Sequence, residues 1–98
     1  MAELGFEWNP RKDRVNRRKH GVTFAEARTV FFDEGAWISA DPDHSGREDR
    51  FLIIGFSIQA RVLLVCFCER RVGDVIRIIS ARRATRKEQR LYAAGRLE

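Results

Sequence analysis

The chain of 98 residues has no apolar run near the roughly 18 to 20 residues that crossing a bilayer takes, and no charged-then-apolar leader opens it. A soluble, cytoplasmic protein without membrane contact is therefore expected. Cysteine and histidine are scarce: Cys66 and Cys68, His20 and His44. Two cysteines at i and i+2 share one face of a strand roughly 6.5 Å apart, outside comfortable disulfide geometry. With no second Cys or His pair nearby, they read as buried, reduced thiols. Asp33, Asp41 and Asp43 match no ligand spacing either, so neither a metal nor another cofactor is expected. Internal repeats, low-complexity tracts and linkers are also missing. This length holds one domain, residues 1–98, with a modest core.

Positive charge is abundant. Nineteen Lys and Arg against fourteen Asp and Glu give a net charge of +5, and the pI is near 10.0. That balance favours an anionic partner such as nucleic acid or an acidic protein. The basic residues form two blocks, Arg11 to Lys19 and Arg82 to Arg90. The first occupies a helix opened by the cap Asn9 and by Pro10 and closed at His20 by Gly21; with Val15 as its one apolar residue, it is expected to be mostly exposed. A second helix starts at Thr23, which forms a capping box with Glu26. Phe24, Ala27 and Phe31 turn one stripe to a core, and Gly35 marks the exit. A second capping box, Thr85 to Glu88, opens a terminal helix through Leu91 and Tyr92 that ends at Gly95.

Strands fill the interval between these helices. Leu4 to Trp8 reads as an edge strand, Trp37 to Ala40 as a brief one, and Arg50 to Phe56 as a central one. Asp41 to Gly46 gathers turn formers and is expected to be a loop. Val62 to Glu69 and Ile76 to Ala81, joined by residues 70–74, predict an antiparallel hairpin. The fold class is α+β: a small, mostly antiparallel sheet flanked by an N-terminal helical hairpin and a C-terminal helix. Leu63, Val65 and Phe67 on one face of the hairpin and Val62, Leu64 and Cys66 on the other are all apolar. Whichever face the helices leave bare is expected to meet a partner.

Several residues could carry chemistry. If both basic blocks edge the same sheet face, they frame a groove for a phosphate backbone; otherwise they form a solvated cationic surface. Arg77 is a lone charge in an Ile-rich strand, and Glu69 holds a similar place in the strand before it. Burying either alone costs several kcal/mol. They either pair across the hairpin or converge on a phosphate, with Glu69 taking the proton of a ribose 2′-hydroxyl and Arg77 neutralising the phosphorane. His20 suits acid–base work near neutral pH, or the C-terminal dipole of its helix. His44, in the acidic loop, is the weaker candidate.

Three segments together have a family look: FEWNPRKDRVNRRKHGVTFAEARTVFFD from Phe6 to Asp33, IIGFS from Ile53 to Ser57, and VIRIISARRAT from Val75 to Thr85. They closely resemble the BrnT family of ribonuclease toxins of type II toxin-antitoxin systems. The resemblance implies a RelE-like fold and a metal-independent endoribonuclease that cleaves RNA and arrests translation. It also implies a DNA-binding, BrnA-like antitoxin that joins the toxin in a hetero-oligomer. The KHGV and IRIISAR motifs nominate Lys19, His20, Arg77 and Arg82 as catalytic, to which the residue-level argument adds Glu69. Arg14, Arg17, Arg18, Arg83 and Arg86 would contact RNA. Asn9 stands where the family often has Asp, and the turn over residues 70–74 is longer than the family's usual connection, which bears on where Glu69 stands relative to Arg77. The competing class is a non-catalytic module that binds RNA, DNA or an antitoxin without cutting RNA.

Overall fold

The computed structural model describes residues 4–45, 49–71 and 74–96. Five strands form one sheet: β1 (Gly5–Glu7), β2 (Trp37–Ser45), β3 (Asp49–Phe56), β4 (Val62–Arg71) and β5 (Val75–Arg83). The helices are α1 (Pro10–His20), α2 (Phe24–Thr29), which runs on into a 3-10 turn at Val30–Phe32, and α3 (Arg86–Arg96). The strand order is β1-β5-β4-β3-β2. β2 to β5 form an antiparallel meander, and β1 lies parallel to β5, so the sheet is mixed. No hairpin links β1 to β5, and nothing local imposes antiparallel pairing on them.

Local chemistry accounts for most boundaries. Asn9 Oδ1 accepts the backbone N–H groups of Arg11 (2.8 Å) and Lys12 (3.2 Å), and Gly21 closes α1 with φ +69°, a conformation that glycine adopts without strain. Four expectations change. Asp41 to Ser45 belongs to β2 rather than to a loop. β2 is an edge strand whose register shifts between Ala40 and Ser45, and an edge tolerates Pro42 because one row of its amides needs no ladder partner. Gly46, Val72 and Gly73 lie outside the described residues. α2 stops at Thr29, well before Gly35, whose N–H instead donates to Asp33 Oδ1 (2.9 Å). α3 continues through Gly95, where the glycine serves close approach rather than helix exit: a Cβ there would stand 3.1 Å from Trp37 Nε1. Glu26, the fourth, does not complete the Thr23 box. Thr23 Oγ1 accepts Glu26 N–H (3.1 Å), while the Glu26 carboxylate accepts from Arg61 and from Ser57 Oγ (2.6 Å).

Ile53, Leu63, Val65, Phe67, Ile76 and Ile78 face α2 and its 3-10 turn, meeting Val22, Phe24, Ala27 and Val30 in the main core. At roughly 1.5–3 kcal/mol per fully buried large apolar side chain, this layer dominates folding. On the opposite face α3 covers only one end, where Tyr92 and Ala84 pack on Ile54, Val62 and Leu64. Tyr92 Oη donates to Asp33 Oδ2 (2.6 Å) and ties α3 across the sheet edge. The rest of that face carries Arg50, Leu52, Cys66 and Ser80 and is left open by the helices.

A candidate phosphate-binding active site

That open stretch forms a pocket of about 490 Å³. Leu52, Leu64, Cys66 and Ile79 supply its apolar floor, and Lys19, His20, Arg50 and Arg82 its basic groups; among the described residues Asp41 is its one carboxylate. The floor arises from the pairing itself. Leu52 stands opposite Cys66 and Cys66 opposite Ser80, while the next pair is Phe67 with Ile78, so Ile79 is an extra residue in β5. Such a bulge re-aims the chain locally and lets Ile79, Ser80, Ala81 and Arg82 all reach the pocket.

α1 brings the other two groups. β1 pairs with β5 only from Val75 to Arg77, and farther along the same edge α1 docks through Asn16, whose side chain is bonded to the backbone of Ala81. Its last turn, rich in Arg17, Arg18, Lys19 and His20, thereby ends beside the pocket. A helix C-terminus stabilises the lysine and arginine cations there through its dipole.

Arg82 is held from the side of α3. Its Nη1 and Nη2 donate to Glu88 Oε1 and Oε2, both at 2.8 Å, and Nη1 also donates to the Arg83 carbonyl (3.2 Å). Among the described residues three of the five guanidinium N–H groups are engaged, which leaves two for a ligand. Glu88 also completes the capping box with Thr85, accepting its N–H at 2.9 Å while Thr85 Oγ1 accepts Glu88 N–H at 3.2 Å. The Arg82 guanidinium, with help from Thr85, holds the Glu88 carboxyl down to about 2. In the floor, burial pushes the Cys66 thiol up, and the nearby Asp41 carboxylate, 3.8 Å from Sγ, adds to that. Cys66 is thus a protonated thiol rather than a nucleophile.

The structure brings Lys19, His20 and Arg82 together and leaves Glu69 and Arg77 apart from them. Glu69 stands opposite Ile76 and Arg77 opposite Cys68, so their side chains leave opposite faces of the hairpin. They neither pair nor converge on one phosphate. Glu69 lines a recess on the α2 side with Phe31, Phe67 and Ile76. Arg77 is on the pocket's face, one row beyond Ser80, and its Nη1 lies 3.6 Å from Glu7 Oε2 on β1. Arg14, Arg17 and Arg18 are exposed on α1 and Arg86 is exposed at the start of α3, while Arg83 stands opposite Leu63 on the face away from the pocket. The His44 side chain lies outside the described residues. Sequence reasoning missed Arg50 and Asp41, which only strand register brings to the pocket, and Asn16, a polar residue in a helix with no apolar stripe.

Comparison with known proteins agrees with this architecture. A crystal structure of the Brucella abortus ribonuclease toxin BrnT superposes with a TM-score of 0.64 at 23% sequence identity, covering 86% of this chain and 100% of that one. At that identity the likeness concerns the fold. No curated protein sequence matches the chain. The family model described as the ribonuclease toxin BrnT of type II toxin-antitoxin systems matches residues 8–88. That span runs from Trp8 to Glu88 and holds every residue of the pocket, and the chain therefore belongs to the BrnT family of type II ribonuclease toxins.

Proposed function

We propose that the pocket cleaves RNA without a metal ion, in the manner of RelE-like endoribonucleases, and that the resulting loss of RNA inhibits translation. The observation that carries this reading is the meeting of Lys19, His20 and Arg82 over an apolar floor. In such a reaction the ribose 2′-oxygen bonds to phosphorus and the bond from phosphorus to the 5′-oxygen breaks. The products are a 2′,3′-cyclic phosphate and a 5′-hydroxyl. Lys19 and the two free N–H groups of Arg82 suit the negative charge that grows on the phosphorane. His20 takes the 2′-hydroxyl proton, and a solvent water protonates the departing 5′-oxygen. Among the described lining residues Asp41 is the one carboxylate, unlike the several oxygen ligands that hold Mg²⁺. Glu69, on the far face, has no part in this scheme.

The family's place in type II systems implies an antitoxin partner. A BrnA-like, DNA-binding antitoxin in a hetero-oligomer is the form we propose, acting in the cytoplasm. The test is digestion of an end-labelled oligoribonucleotide by the purified chain in EDTA, with mass analysis of the ends. Cleavage leaving 2′,3′-cyclic phosphate is expected. Intact RNA that nevertheless binds in a salt-dependent way would leave a binding module in place of the nuclease.

A further inference from the structure

α1 has one buried residue, and it is polar. Asn16 is 6% exposed while Val15 is 56% exposed. Asn16 Nδ2 donates to the carbonyls of Val22 and Ala81, each at 2.8 Å, and Oδ1 accepts the Ala81 N–H at 3.1 Å. A donor and an acceptor given to one residue of an edge strand are what a neighbouring strand would give there. β1 has already ended its pairing at Arg77. Asn16 thus continues the sheet by a single amide and satisfies a buried peptide group that would otherwise stay unpaired. The bond to Val22, just past the Gly21 cap, fixes the last turn of α1 from its far side.

The neighbours of this amide are the candidate catalytic groups. Ser80 and Arg82 flank Ala81 in β5, and Lys19 and His20 follow Asn16 by three and four residues, which places them on the same side of α1. All four line the pocket. We infer that Asn16 is a positioning residue, setting Lys19 and His20 of α1 against Ser80 and Arg82 of β5 across the phosphate site. An apolar residue at this place would bury equally well but would leave the helix free to slide and rotate on the strand edge. The amide pair fixes one register. The catalytic consequence rests on the ribonuclease reading; the placement of His20 does not.

Asn16→Leu and Asn16→Ala are compared with Val30→Ala, a core truncation away from the pocket, at equal folded fraction. The alanine variant leaves room for water at the Ala81 peptide and so folds even where leucine does not. Two quantities are read: turnover at saturating oligoribonucleotide, and the chemical shifts of the His20 ring. The Asn16 variants are expected to move the His20 shifts and to lose on the order of 10²-fold in turnover, with KM changed far less; Val30→Ala keeps both. Unmoved His20 shifts with wild-type turnover in the Asn16 variants would overturn the inference, as would equal changes in Val30→Ala. If wild type cuts no RNA, the nuclease reading fails, and the His20 shifts alone still decide whether Asn16 places His20.

Discussion

Glu26 is 4% exposed and carries a charge, so what surrounds it decides whether the fold tolerates it. Burial pushes its carboxyl up, but hydrogen bonds from Arg61 and Ser57, with the charges of Arg61 and Arg83, outweigh that and leave it below its ordinary value. This bond set joins α2 to the turn between β3 and β4, where Ser57 N–H also donates to the Arg61 carbonyl (2.8 Å). Breaking a buried pair by removing one partner strands the other charge, though Arg61 keeps 24% exposure. Glu26→Ala is therefore expected to lower unfolding free energy by about 2–3 kcal/mol, measured by urea denaturation. An unchanged urea midpoint would contradict this account of the pair. The sequence motif Thr23-x-x-Glu26 found the helix start correctly, but a capping box cannot reveal that its acid has a stronger claim from an arginine 35 residues away.

At the scale of elements, capping residues located α1 and α3, and alternation located the hairpin and placed β1 at an edge. Neither could say how α1 docks. Hydrophobic spacing detects apolar stripes, and α1 docks through an asparagine, so a helix correctly read as mostly exposed is nonetheless tied to β5 by one side chain. The separation of Glu69 from Arg77 was likewise beyond them, because a bulge and the pairing of Glu69 with Ile76 are tertiary facts. The first turn of α3 depends on Glu88. Because the Glu88 carboxyl is held below its ordinary value of 4.5, at about 2, its contribution to stability is full above pH ~4.5 and disappears as pH falls toward ~2. Glu88→Gln is expected to lower the melting temperature at pH 7 and to flatten its fall across that window. A wild-type-like slope between pH 4.5 and 2 in the variant would show that another group governs acid unfolding of α3.

Over the whole molecule, charge is distributed unevenly about the sheet. Lys19, His20, Arg50 and Arg82 share the pocket, α1 adds exposed arginines beside it, and Arg83 faces the other way. Single-stranded RNA laid across the pocket therefore releases counterions from one face. Plotting log affinity against log salt, Arg17→Ala, one helical turn before His20, is expected to shallow the slope by roughly 0.7, the value for one phosphate contact on a single strand, while Arg83→Ala leaves it unchanged. Equal effects would indicate diffuse attraction by net charge alone. The central claim is that cleavage belongs to the pocket face. It is tested most directly by turnover of Arg82→Ala and Glu69→Gln on one oligoribonucleotide in EDTA, with both variants confirmed folded. A loss of about 10²–10³-fold is expected for Arg82→Ala and wild-type turnover for Glu69→Gln. Full activity in Arg82→Ala together with abolished cleavage in Glu69→Gln would move the active site to the opposite face and contradict that claim.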